Sequence, residues 1–523
     1  MTLLLVRGHV LEAQSGVGGN AATGAPRIAL IEFQRQNVFD SAETTSWVTR
    51  LANRLHVRTR VSVVRRELLF RAGEPYDSGL VAESARNLRQ LGVFRDVSID
   101  TVRSDSGLVA RVTTHDGWTT ALDLSLQSTG DQLTWSTEFY ESNLLGTNST
   151  LLLRYAKDVD RNTSEFQFRR PRLIAHSIGA ELYYQHRSDG RQYIVGLTRP
   201  FTSLASPLGA DIVMQGFNGR LFRFAEGSPV AADTVERQLG LLRMHAAKAV
   251  RGDAGGYLRV GISAQLRRDD AVAEDATVVP KTVTAAIGPS LEWRHAHYVL
   301  THSYEHLGVT EDVDLSATFR AELLAAPRGF GYEHDGIGPS IAFRVGAPLL
   351  DGYGFFEARA GGILSSAGID SGTVMAGATG IARLGSERQR VVLHAEASWA
   401  KGVPIGSDFE QGFGYGTRAF RAHAFTGDRS WLLTGEYRFT VAPELGKLAG
   451  VALAAFVDRG GVWFAGSKPR AGTDAGIGLR IGPTRQADLR TIRIDLAHRF
   501  ANDAETAGWV LVVGKGFTFR LAQ

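Results

Sequence analysis

From Thr119 to the C-terminus no stretch of this chain carries a convincing helical period. Segments of about ten residues instead alternate apolar with polar or small side chains between turn-like breaks. Successive side chains of a strand point to opposite faces, so each such run demands one apolar and one polar surface along its length. Thr491 to Phe500 is the cleanest case: Ile492, Ile494, Leu496 and Phe500 share one face, and Thr491, Arg493, Asp495 and Arg499 share the other. A soluble β-sandwich alternates too, but sandwiches run to roughly 100 residues each. This region is about four times that length with no domain break, which favours one closed barrel with a lipid-facing exterior and a wet lumen.

No apolar run approaches the roughly 20 residues of a membrane-spanning helix, so a membrane location requires a closed barrel. Candidate strands number about twenty, and about sixteen would fit if some merge or form loop hairpins. The expected fold is therefore mainly β: a transmembrane antiparallel β-barrel of about 16 strands, possibly up to 20, over residues 117–523, preceded by one α+β domain. Short connections are expected at Leu144 to Thr147 and Ala442 to Leu445, and the longest one at Lys401 to Arg429.

Residues 27–116 change character. A strand is expected over Arg27 to Phe33, then an amphipathic segment from Val61 to Phe70 closed by Gly73, where a left-handed residue ends a helix without a Cβ penalty. A clearer helix opens at Asp77, a good N-cap, with Leu80, Ser84, Leu88 and Leu91 on one face. Phe94 to Val102 and Leu108 to Thr114 finish the unit as strands. The order is β-α-α-β-β with an insertion of about twenty residues after the first strand. Residues 1–26, small-residue-rich from Gly16 to Gly24, read as a disordered segment. The start, Met1 to His9, offers a short apolar patch with no basic segment before it, so an export signal is expected to be missing or truncated.

Composition narrows the partners. The 58 basic and 54 acidic residues, net +4, are spread without the basic stripe that phosphate neutralisation needs, and nucleic acid is an unfavoured partner. The absence of cysteine excludes disulfides and thiolate metal sites.

Two regions carry a family resemblance. Arg65-Arg66-Glu67-Leu68-Leu69-Phe70-Arg71-Ala72-Gly73-Glu74-Pro75-Tyr76 and Asn87-Leu88-Arg89-Gln90-Leu91-Gly92-Val93-Phe94-Arg95-Asp96-Val97 have the rhythm of a POTRA domain. Gly416-Thr417-Arg418-Ala419-Phe420, with Phe425-Thr426-Gly427-Asp428-Arg429 and Gly435-Glu436-Tyr437-Arg438-Phe439, resembles the signature loop and following strand of the BamA/TamA superfamily, the bacterial surface antigen family. The family's Arg-Gly-aromatic is here Arg418-Ala419-Phe420, which leaves the tightness of the loop tip open. Its aromatic-x-Asp-x-Gly motif is matched by Phe456-Val457-Asp458-Arg459-Gly460. Five candidate strands follow the loop, as the family arrangement implies.

Strand alternation places Glu436 and Arg438 on the lumen face of Ser430 to Thr440, and Phe456 and Asp458 on the lumen face of the next strand. An extracellular loop folded inward brings Arg418 among them, where a guanidinium makes bidentate bonds in a partly desolvated site. With the turn centred near Leu445, Asp458 lies about four residues, or roughly 13 Å, beyond Glu436. On that spacing Arg418 bonds one acid directly and reaches the other through a network, and so pins the loop.

The last strand is expected over Trp509 to Phe519, with Trp509, Leu511, Val513, Phe517 and Phe519 outward and Gly514 and Gly516 inward. The resemblance implies that this strand and Thr119 to Ser128 form a seam that opens laterally. Two compatible alternatives stay open: the glycines ease curvature, and Phe519 belongs to an aromatic outer-membrane recognition signal.

No GxSxG elbow, HExxH helix or phosphate loop is present, no cofactor is expected, and His295, His297, His302 and His306 read as loop polar groups. The resemblance implies a non-enzymatic factor that inserts or passes polypeptides. Its partners would be membrane lipid, unfolded outer-membrane or secreted clients, and a periplasmic chaperone or lipoprotein. The alternative is a passive pore or surface receptor.

Overall fold

A computed structural model describes residues 26–519, apart from 106, 130–131, 175–176, 225–230, 232, 274–277, 303, 305–309, 404–407, 414, 447, 486–490 and 503–504. Residues 1–25 of the expected N-terminal segment and His306 lie outside the described residues.

The front unit runs β1 (Ile28–Gln36), α1 (Trp47–Leu55), α2 (Val61–Arg66), α3 (Ser78–Gln90), β2 (Phe94–Ser104) and β3 (Gly107–Asp116). Strand β3 is central, parallel to β1 and antiparallel to β2, which leaves β1 and β2 as edges. Val64 and Leu88 pack on Val93, Phe94, Val97 and Val112, while Phe70 and Val81 pack on Ile28 and Ala110. Asp77 caps α3 by accepting from the Gly79 and Leu80 amides. The twenty-residue insertion is not a plain loop: it contains α1, capped by Ser46 accepting from the Thr49 amide.

The wall begins at β4 (Thr120–Thr129) and closes with Gly508–Lys515 beside it, through twenty antiparallel strands in sequence order. That is the upper end of the expected range, because segments expected to merge stay separate. Two hairpins stand outside the wall, Tyr298–His302 with Thr310–Asp314 and Phe409–Gln411 with Phe425–Gly427. Leu122, Leu124, Leu433, Leu453, Val457 and Leu511 are exposed on the exterior, whereas Glu436, Asp458, Asp474 and Asp495 are buried inside. This is the alternation required when one face meets lipid and the other meets a polar interior.

With the front unit at one rim, here the proximal rim, an even strand count returns the last strand to the same rim. The Leu144–Gly146 turn lies there, as expected. Ala442 to Leu445 does not form a turn. It lies within the strand Arg429–Leu445, where register shifts extend the pairing and the chain turns at Gly446 instead. The proximal connections are not all short, since the hairpin Tyr298–Asp314 occupies one of them. It folds inward, packing Tyr304, Val313 and Leu315 against Ile381, Val392, Leu432 and Phe519.

The front unit is docked on the proximal rim through α3. Glu83 accepts from the Leu204 amide at 2.7 Å, Asn87 donates to the Thr202 carbonyl at 3.0 Å, Arg89 pairs with Asp312, and the Arg86 guanidinium lies 4.5 Å from the Tyr298 ring centroid.

The end of the chain departs from expectation. The last strand stops at Lys515, and Gly516, at φ +65°, turns the chain inward. Phe517 and Phe519 therefore meet the lumen rather than lipid: Phe519 stacks on His394 at 3.9 Å, and the Arg438 guanidinium lies 4.4 Å from the Phe517 ring. Glycine reaches this left-handed conformation without steric cost, whereas continued strand alternation presumes an extended residue there.

Candidate functional site

The connection between the strands Gln389–Lys401 and Arg429–Leu445 folds down into the lumen, held at its root by the Phe409–Gln411 and Phe425–Gly427 hairpin. Gly412 has φ +122°, and a Cβ there would sit 2.1 Å from the Arg421 carbonyl oxygen, so the loop re-enters only because that position has no side chain. Arg418 at its tip is 1% exposed. Its Nε and Nη2 donate to the two Asp458 carboxylate oxygens at 2.5 and 3.1 Å. Its Nη1 donates to Asp495 at 2.9 Å and reaches Glu436 at 3.4 Å. The Phe456 ring lies 3.6 Å beneath the guanidinium, a cation–π contact that strengthens away from water.

Both motif acids thus touch Arg418, where one direct and one indirect contact were expected. Glu436 stands opposite Phe456 and Asp458 opposite Thr434. The offset is two residues, roughly 7 Å, because the register shifts near Ala442 consume the rest.

Five further groups complete the network. Arg480 donates to Glu436 at 2.7 and 3.0 Å and to Asp495 at 2.5 Å, Arg438 donates to Glu436 at 2.6 Å, and Arg493 donates to Asp495 at 3.3 Å. Asp474 accepts from the Ala419 amide at 3.3 Å, and Arg499 donates to the Ala419 carbonyl at 3.0 Å. The acids Glu436, Asp458 and Asp495 each pair with one or more of Arg418, Arg438, Arg480 and Arg493. Charges this deeply buried persist only when paired and hydrogen-bonded.

Two glycines make room for the loop. A Cβ on Gly472 would lie 2.4 Å from the Phe420 ring, and one on Gly460 would lie 2.4 Å from Gln411 Oε1. Buried Gln411 in turn donates to the Trp431 carbonyl at 2.9 Å. Gly514 serves the same purpose for Arg493, whose Nη2 would sit 2.9 Å from a Cβ.

The loop also straddles the seam. The Ala422 amide donates to Gln132 at 3.1 Å on one side, while the Arg421 amide donates to Glu505 at 2.7 Å and the Gly416 amide to the Thr518 carbonyl at 2.8 Å on the other. Lys515 pairs with Asp123 across the seam itself. A cavity of about 380 Å³ opens there, lined by Asp123, Ser125, Val513, Gly514 and Lys515 from the two closing strands and by Phe413 from the loop. At the distal rim His423 stacks on Phe224 at 3.3 Å and lies 2.9 Å from Asp160 and 2.8 Å from Glu410. Burial opposes its charge, but the hydrogen bonds to Asp160 and Glu410 outweigh that and raise its pKa to about 9.

No family model matches the chain. A stretch of 138 residues, 26% of the chain, is 30% identical to the outer membrane protein assembly factor BamA of Neorickettsia risticii (strain Illinois), and it spans 19% of that protein. Over that stretch the chain is similar to BamA. The similarity agrees with the resemblance to the BamA/TamA superfamily carried by the motifs. Among solved structures, CdiB from Acinetobacter baumannii is 12% identical with a TM-score of 0.47, covering 94% of this chain and 73% of that one. CdiB from Escherichia coli is 9% identical with a TM-score of 0.47, covering 96% and 92%. BamA from Haemophilus ducreyi lacking POTRA domains 1–3 is 11% identical with a TM-score of 0.40, covering 94% and 84%. The apolar barrel exterior and the stretch similar to BamA assign the chain to the bacterial outer membrane.

Proposed function

We propose that this chain is an outer-membrane factor that inserts or passes polypeptide clients, and that its inward loop controls the seam. The observation that carries the reading is the Arg418 network: one buried cation joins three acids on three strands of the wall next to the seam. In this reading the proximal rim faces the periplasm and the front unit is a POTRA domain. Its open edges, β1 and β2, accept an extended client strand by β-augmentation. The client then pairs with β4 or Gly508–Lys515 as the seam parts. Strand exchange of this kind needs no nucleotide, since each main-chain hydrogen bond broken at the seam is replaced by one to the client. A passive pore is less well supported, because the loop, the Tyr298–Asp314 hairpin and the Phe517–Phe519 segment all pack inside the barrel.

The test is complementation of a depleted strain with Arg418→Ala. The expected result is a protease-accessible loop and loss of other outer-membrane proteins. A protected loop together with a normal outer-membrane proteome would overturn the proposal. Altered solute leakage with an unchanged proteome on depletion of the protein would favour the pore.

A further inference from the structure

Helix α1 and its flanks belong to no part of the machinery above. None of its nine residues is buried, and Trp47, Val48, Leu51 and Leu55 are all exposed, Trp47 by 69% and Leu55 by 65%. At 100° per residue these four fall within one arc of about 100°, and Arg50 and Arg54 border it on one side. The opposite side, Thr49, Ala52 and Asn53, is the one turned to the protein, where the Asn53 side chain donates to the Phe39 carbonyl and the Asn37 side chain donates to the Asn53 carbonyl. A large apolar face exposed to water is costly, so this helix is built for a surface.

Its placement identifies the surface. On one flank Glu43 pairs with Arg485, which sits in the turn after the strand Gly472–Pro483. On the other, His56 and Thr59 bond Asp116 just before β4, Asn143 donates to Thr59, and the Arg60 amide and Nε donate to the Gly146 and Leu145 carbonyls. The insertion is therefore fixed to the proximal rim on both sides of the seam. The exposed side chains Leu122 and Leu124 of β4 and Leu145 of the adjoining proximal turn stand next to the flank of α1 that Thr59 and Arg60 fix there.

We propose that α1 is an interfacial helix lying on anionic phospholipid beneath the seam, with Trp47, Val48, Leu51 and Leu55 at the acyl boundary and Arg50 and Arg54 at the level of the phosphates. Tryptophan prefers this boundary, and arginine adds attraction to anionic headgroups. Assigning the surface to the inner leaflet rests on the orientation proposed above, whereas contact with lipid does not. The helix holds a bilayer edge against the point where the two closing strands meet.

The chain contains no cysteine, so single-cysteine variants Leu51→Cys and Leu55→Cys take a polarity-sensitive fluorophore at one site each, with exposed Arg103→Cys on β2 as the aqueous control. The full chain is reconstituted in vesicles of phosphatidylethanolamine with phosphatidylglycerol, or of phosphatidylcholine alone, and variants keeping heat-modifiable migration are compared. Expected are blue-shifted emission and quenching by brominated acyl chains at positions 51 and 55 but not 103, greater with phosphatidylglycerol and reduced in the Arg50→Gln/Arg54→Gln background. Emission equal to the Arg103→Cys control overturns the proposal. So does a label shielded from iodide but untouched by brominated lipid, which indicates a protein cover: a client, a second copy or another part of this chain. Client insertion is read separately, so failure of the assembly reading leaves the lipid contact measurable.

Discussion

Arg418 serves three acids at once, so its removal leaves carboxylates buried with too few partners. Deleting one member of a buried charge network costs about 3–5 kcal/mol. Arg418→Ala is expected to lower the temperature at which the barrel loses heat-modifiable migration, and Arg418→Lys to recover little, because an ammonium cannot span both Asp458 oxygens and Asp495. Gly472→Ala tests the fit from the opposite strand. Its methyl would enter the space of the Phe420 ring, and overpacking of this kind costs about 1–3 kcal/mol; loop protection and barrel melting should fall together. His423 gives a pH signature. Its pKa is raised from 6.5 to about 9, so the stabilisation from its charged form is full below about pH 6.5, declines above that, and is gone once pH has passed about 9. Limited proteolysis of the loop should accelerate across that window, and His423→Ala should abolish the dependence.

At the scale of elements, the seam is the place where the first and last strands of the wall meet. The last strand has eight residues where others reach 21, and a salt bridge between Lys515 and Asp123 joins it to β4. Asp123→Cys/Lys515→Cys should form a disulfide that blocks client insertion and is released by reductant; full activity of the oxidised form would exclude lateral opening at this place. Helix α3 is the other decisive element. Glu83 is buried and accepts from the Leu204 amide, and Glu83→Ala leaves that donor unsatisfied at a cost of about 1–3 kcal/mol. Hydrogen exchange of α3 and of the 200–207 turn should rise together if the front unit is held by this contact.

For the whole molecule, the architecture was legible where a periodic constraint acts. Alternation over Thr491 to Phe500 placed Arg493, Asp495 and Arg499 on the inner face, where all three are buried, and five strands do follow the signature loop. Arg418, Glu436 and Asp458 were legible from motif order, and all three meet in the lumen. What sequence reading missed has a common cause. Asp474, Arg480 and Arg493 look like any lumen charge, since alternation says which side a residue faces but not what a re-entrant loop will bring to it. Phe517 and Phe519 were misplaced because one glycine in a left-handed conformation ends the period that seemed to continue. Helix α1 escaped notice because its apolar face packs against no other part of the protein among the described residues.

The buried charges of the lumen network also bear on the order in which the chain folds. Every one of them comes from residues 418 to 499, within four consecutive wall strands and the loop before them. Contacts that are local in sequence form early, because the loop-closure entropy they require is small. The C-terminal part of this chain can therefore assemble around Arg418 as a nucleus, giving the remaining strands an ordered edge on which to pair one after another. The first strand is then the last to be placed, and the place where the barrel closes is the place it finished.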